Sequence, residues 1–103
     1  MAEDALARYA SQAEDIAREA GAILRGRFGQ PHDVRFKGTV DIVTEADQAA
    51  EDLIANRLRE LCPDHVLLCE EGSRGRSQTG PLRWVVDPLD GTTNFAHGLP
   101  TFA

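Results

Sequence analysis

The sequence predicts a layered α/β fold, because two stretches with helical periodicity alternate with short apolar runs that have the length and boundaries of strands. A third observation locates the chemistry. The last apolar run ends directly in Asp87-Pro88-Leu89-Asp90-Gly91-Thr92-Thr93-Asn94, a turn dense in oxygen donors.

Over residues 3–27, Leu6, Tyr9, Ala13, Ile16, Ala20, Ile23 and Leu24 recur on one helical face. Gly29, Gln30, Pro31 and His32 stop that helix, since Gly and Pro do not support its continuation. Val34 and Phe36 then alternate with Arg35 and Lys37, Gly38 interrupts, and Val40, Ile42 and Val43 resume, which reads as a bent strand or hairpin. Thr44-Glu45-Ala46-Asp47 opens a second helix whose apolar face is Ala50, Leu53, Ile54, Leu58 and Leu61, and Pro63 ends it. His65-Val66-Leu67-Leu68-Cys69 is short and continuously apolar, the pattern of a buried strand, and it finishes in Glu70-Glu71-Gly72. Residues 72–81 carry no apolar side chain and read as a surface loop, with Arg74 and Arg76 too few for a basic patch. Leu82-Arg83-Trp84-Val85-Val86 forms the strand that runs into Asp87.

The 103 residues fit one small domain or part of a larger one. A hydrophobic fraction of 42% with 27% charged residues is that of a folding globular chain. The net charge of -6, from 17 acids against 11 bases, argues against a nucleic-acid or membrane-surface partner and favours cations wherever the acids gather. Met1 is followed by Glu3 and Asp4 rather than by a signal, and no run is long enough to span a bilayer, so a cytoplasmic location is expected. Cys62 and Cys69 match neither a redox pair nor a zinc pattern and are expected to be reduced. Leu99-Pro100-Thr101-Phe102-Ala103 starts an extended apolar segment, and the strands have few partners for their edges, so further downstream sequence is expected.

Asp87 and Asp90 stand three residues apart across a turn in which Pro88 fixes one φ, so both carboxylates and the Leu89 carbonyl can face one side. Convergent acids repel one another and are relieved by a divalent ion, and Mg²⁺ takes oxygen ligands at roughly 2.0 to 2.1 Å. Gly91 gives access to positive φ, and Thr92, Thr93 and Asn94 offer hydroxyls, an amide and free N–H groups at a helix start, which suits phosphate. An Asp-Pro-x-Asp-Gly turn alone is a common way to leave a strand. The threonines, the asparagine and the second acidic strand end at Glu70-Glu71 tip the reading to a metal and phosphate site. No Cys, Ser or His has the paired base of a covalent nucleophile, so direct attack by water is expected.

Three pieces, Asp41-Ile42-Val43-Thr44-Glu45-Ala46-Asp47, Glu70-Glu71-Gly72 and Trp84-Val85-Val86-Asp87-Pro88-Leu89-Asp90-Gly91-Thr92-Thr93-Asn94-Phe95, stand in the order and spacing of one family. The sequence resembles the N-terminal part of the inositol monophosphatase family, within the lithium-sensitive, magnesium-dependent phosphatases. That resemblance implies an α-β-α-β-α layered sandwich, of which residues 1–103 supply the opening helices and part of the first sheet. It implies that Glu70, Asp87 and the Leu89 carbonyl bind one Mg²⁺, that Asp87 and Asp90 bind a second, and that Asp87 bridges them. Thr92 and Glu70 would orient the attacking water, with Asp47 assisting through the Thr92 hydroxyl. The backbone of Gly91, Thr92 and Thr93 would hold the phosphate, and Asp90 would also meet a substrate hydroxyl. Thr44 and Asp47 also form a T-x-x-D capping pattern, so helix capping and site chemistry are both open for Asp47. Lys37 and Gly38 belong to a segment that in the family approaches the site, Glu71 reads as a supporting or surface acid, and His97 as a structural or substrate-edge group.

The resemblance further implies a small phosphorylated polyol as substrate and a homodimer for the full-length protein. Thr93, where relatives acting on nucleotide phosphates carry Lys, points to an inositol phosphate; histidinol phosphate, fructose bisphosphate and NADP are the alternatives. A role as a regulatory partner of the transcription machinery, known for some bacterial relatives, is the reading from another class. Family members are more than twice as long, and their downstream W-D-x-A-A-G motif, which completes the second metal site, is absent here. The 103-residue chain alone is therefore expected to bind Mg²⁺ weakly and to turn over little.

Overall fold

The computed structural model describes residues 2–31, 34–36, 42–71 and 82–103. Lys37, Gly38, Asp41 and the expected surface loop with Arg74 and Arg76 lie outside the described residues.

Helix α1 (Ala2–Arg27) follows the predicted span. Its inner face is narrower than the periodicity indicates: Ile16, Ala20 and Leu24 are buried, whereas Leu6 is 55% exposed. Helix α2 (Glu45–Leu61) packs against α1. Ala20, Leu24, Ala46 and Ala50 form one cluster with Leu89 and Phe95, and Ile16, Ala55 and Leu58 form another with Leu67 and Val86. Small side chains at this crossing let the helix axes approach closely, and larger residues from the strands and the final turn fill the flanks. Leu61, expected on the apolar face of α2, is instead 47% exposed, in the last turn of α2, where it lines an open groove with Gln12, Asp15 and Ile16 of α1. An Arg57–Glu19 ion pair at 2.9 Å bridges the two helices, and at that exposure it contributes little.

Strands β1 (Val34–Phe36) and β2 (Ile42–Thr44) pair antiparallel, so of the two expected forms the hairpin is found. Strands β3 (Val66–Cys69) and β4 (Arg83–Val86) pair parallel in register, with Val66 opposite Arg83 and Cys69 opposite Val86. Parallel pairing requires that the chain cross over between the two strands. The β3 run is apolar throughout, yet only Val66 and Leu67 are buried and Leu68 is 37% exposed. One face of β3 and β4 rests on the helices; the other, with Leu68 and Val85, is open.

The first residues of the two strands are fastened by polar and aromatic contacts. Trp84 Nε1–H donates to His65 Nδ1 at 3.0 Å, and Tyr9 of α1 meets both rings edge-on, with centroids 5.1 Å from His65 and 6.3 Å from Trp84. The last element is a short helix, α3 (Thr92–Ala96), whose Phe95 is fully buried between Phe28 and Phe102. Cys62 and Cys69 are both free thiols, as expected.

Candidate active site

β3 and β4 deliver the first two acids. The Glu70 N–H donates to the Val86 carbonyl at 2.9 Å, which carries the parallel register one step past Cys69 and Val86. Glu70 and Asp87 are therefore neighbours at the carboxyl ends of two parallel strands, roughly 4.8 Å apart along the hydrogen-bonding direction. That is the end at which open α/β sheets bind ligands. Both residues are exposed.

Past β4 the chain turns sharply. Asp87 Oδ1 accepts the Leu89 N–H at 3.3 Å, a local contact of the kind that shapes Asx turns. Pro88 and Leu89 are buried while Asp87 and Asp90 are exposed, so the apolar residues anchor the turn and the acids are lifted out of it. Asp90 exchanges both backbone hydrogen bonds with Ala103, at 2.7 and 3.0 Å, which lays residues 99–103 alongside the turn. Gly91 has φ +83°, and a Cβ there would lie 2.9 Å from the Thr101 carbonyl oxygen, so both the conformation and the space demand glycine. Gly91 is also the N-cap of α3, and no side chain caps that end of the helix.

The third element is α2. The Thr92 hydroxyl lies 2.8 Å from Asp47 Oδ1 and 3.2 Å from the Leu89 carbonyl oxygen. It has one proton, and the shorter contact, to a carboxylate, takes it. Asp47 is 2% exposed, and its Oδ2 accepts from the Thr44 N–H at 3.0 Å and the Thr44 hydroxyl at 2.6 Å. The Asp47 N–H returns a bond to Thr44 Oγ1 at 3.3 Å, completing a capping box. The capping box and the Thr92 contact thus use different oxygens of the same carboxylate.

Asn94 differs from expectation. Its side-chain amide donates to the Thr101 carbonyl at 2.9 Å, so it fastens the returning segment instead of offering that N–H to a ligand. His97 is exposed, immediately after α3. Sequence reasoning missed Glu51, which is wholly buried on α2 and accepts the Glu71 N–H at 2.5 Å. The signal was present: a charged residue stands one turn after Asp47, among the core-facing positions Ala50, Ala55 and Leu58.

The expected ligands, Glu70, Asp87, Asp90 and the Leu89 carbonyl, are all oxygen donors, which as a set would suit Mg²⁺ and not a soft metal. Register brings Glu70 and Asp87 together, and the turn sets Asp90 across from Asp87. Among the described residues, no three His, Cys, Asp or Glu side chains are grouped closely enough to hold a metal ion.

The chain is similar to the tomato (Solanum lycopersicum) protein "Inositol monophosphatase 1", with 44% identity over 99 residues, covering 93% of this chain and 36% of that protein. Among solved structures it is similar to the extragenic suppressor protein suhB of Bartonella henselae, at TM-score 0.86 and 38% identity over 93% of this chain and 38% of the other. The Thermotoga maritima IMPase follows at TM-score 0.82 and 35% identity, with 92% and 37% covered. The chain thus spans little more than a third of the length of these relatives, and the α/β layering expected from the sequence is shared with the solved structures. The sequence pattern of the inositol monophosphatase family matches residues 5–103, which takes in every site residue described above and all but the first three residues of α1; the chain belongs to that family.

Proposed function

We propose that the protein containing this chain is a Mg²⁺-dependent phosphomonoesterase that releases phosphate from an inositol monophosphate, and that this chain supplies the acids and the phosphate cradle. The observation that carries the reading is the meeting of three elements at one place: Glu70 and Asp87 at the ends of parallel strands, the Asp90–Gly91 turn, and the Asp47–Thr92 hydrogen bond. The relatives named as inositol monophosphatases supply the substrate class.

Glu70, Asp87, the Leu89 carbonyl and Asp90 would hold the metal. When bound, Mg²⁺ supplies positive charge that polarises the phosphoryl group and acidifies water. Thr92 donates its only proton to Asp47, so its oxygen keeps lone pairs free to accept a hydrogen bond from the attacking water. Asp47 stays fixed because Thr44 occupies its second oxygen. The N–H groups at the start of α3, which no side chain caps, would orient the phosphate, and Asp90, exposed on the turn, would accept from a polyol hydroxyl. The water oxygen becomes the fourth oxygen of inorganic phosphate as the ester P–O bond breaks, and the alcohol leaves protonated.

The test is phosphate release from myo-inositol 1-phosphate by the full-length protein, with Mg²⁺ and after chelation, against histidinol phosphate, fructose 1,6-bisphosphate and NADP. Release should require Mg²⁺, favour the inositol ester and fall by at least roughly 10²-fold in Asp87→Asn and Asp90→Asn. Turnover that persists in both variants or after chelation would overturn the assignment.

A further inference from the structure

We infer that Glu51 is a positioning residue that aims the Glu70 carboxylate by holding the peptide between Glu70 and Glu71. Resting on the reading of Glu70 as a metal ligand, the inference adds a residue that touches neither metal nor substrate.

Glu51 is 0% exposed, on the core-facing side of α2 beside Ala50, Ala55 and Leu58. An apolar residue would fill such a position without the cost of desolvating a carboxylate. What the carboxylate does there is accept the Glu71 N–H at 2.5 Å. The peptide before Glu70 is held from the other side, where the Glu70 N–H donates to the Val86 carbonyl at 2.9 Å. Both peptide planes that flank the Glu70 α-carbon are therefore tied, one by β4 and one by α2. Fixing those two planes fixes φ and ψ at Glu70, and with them the direction of its Cα–Cβ bond. N–H groups alternate in direction along a strand, so with the Glu70 N–H turned to β4 the Glu71 N–H turns the other way, to Glu51.

Groups that orient metal ligands typically change metal affinity by tenfold or more when removed. The experiment is a calorimetric titration of Mg²⁺ into the metal-free full-length protein, paired with hydrogen exchange at the Glu71 amide. Glu51→Leu keeps the volume and removes the acceptor; it should weaken Mg²⁺ by about tenfold and lower Glu71 protection by a similar factor. Glu51→Gln keeps a carbonyl oxygen at the same reach and should stay within about twofold of wild type on both readouts. A simple loss of stability would reduce the folded fraction without shifting the affinity of what remains folded. If Glu51→Leu does not fold, Glu51→Asp, whose carboxylate is one methylene short of the amide, takes its place with the same expectation. Glu70→Gln serves as reference. Weakened Mg²⁺ binding in Glu70→Gln together with wild-type binding in Glu51→Leu, or in Glu51→Asp where that replaces it, overturns the positioning role alone. Wild-type binding in Glu70→Gln overturns the ligand assignment and the inference with it.

Discussion

Thr92 and Asp47 meet across 45 residues of chain, hydroxyl to Oδ1 at 2.8 Å, while Thr44 takes Oδ2 with two donors at 3.0 and 2.6 Å. Every contact to the carboxylate comes from a donor. Asp47→Asn must therefore turn an NH₂ group toward an N–H or a hydroxyl, whichever way the amide is flipped. The expected loss is about 1–3 kcal/mol, read as a lower melting temperature. Thr92→Val keeps the shape and deletes the hydroxyl. In the full-length protein it should also lower the melting temperature, because Asp47 Oδ1 loses this donor, and should release phosphate at least about 10²-fold more slowly at temperatures where it is folded; wild-type turnover would remove Thr92 from the mechanism.

Gly91 and Gly29 separate conformation from space. Both have positive φ, +83° and +81°, but a Cβ at Gly29 meets nothing within 4 Å, whereas at Gly91 it meets the Thr101 carbonyl at 2.9 Å and Phe102 at 3.3 Å. Gly29→Ala should cost about 1–2 kcal/mol, the ordinary penalty for the left-handed region. Gly91→Ala should cost more, because main chain must move as well. Urea denaturation of the two variants measures the difference, and equal costs would refute the close approach.

The Trp84–His65 bond predicts a tautomer. Nδ1 accepts at 3.0 Å, so the neutral ring carries its proton on Nε2, which nitrogen NMR reports directly. Trp84→Phe retains an aromatic ring against Tyr9, removes the donor from a histidine that is 7% exposed, and should lower stability by about 1 kcal/mol.

Burial pushes the Cys62 thiol pKa up, and the Arg8 guanidinium opposes that with a smaller effect. A raised thiol pKa means less thiolate at a given pH, and hence slow alkylation. It also means that the unfolded chain loses this proton first as pH rises, so the thiol stabilises the native state below its unfolded pKa and that contribution is lost in alkaline solution. At about pH 8, iodoacetamide should modify Cys62 only as fast as urea unfolds the chain; rapid modification of the native protein would contradict its burial.

Periodicity made α1, α2 and the strand runs legible, because each depends on neighbours within a turn or two of sequence. The Asp87–Asn94 turn was legible for the same reason: its donors are local. Glu51 was not, since its partner stands 20 residues away on a different element, and only the packing of α2 against β3 brings them together. The exposure of Leu61 and Leu68 escaped for a related reason, as an apolar side chain says that burial is favourable without saying what will cover it. Asn94 carried the right chemistry for a ligand, but its amide was claimed by a carbonyl from the returning segment, whose path no local pattern encodes.

That returning segment is held in two different ways, and evolution should treat them differently. Asp90 and Ala103 exchange main-chain hydrogen bonds, which are indifferent to side-chain identity and are lost at position 103 only to proline. Phe102 packs against Phe28 and Phe95 with centroids 5.1 and 5.0 Å away, where shape and volume matter. Substitutions should therefore drift freely at 103 and stall at 102, leaving beside the acidic turn a brace that can change its spelling while keeping its grip.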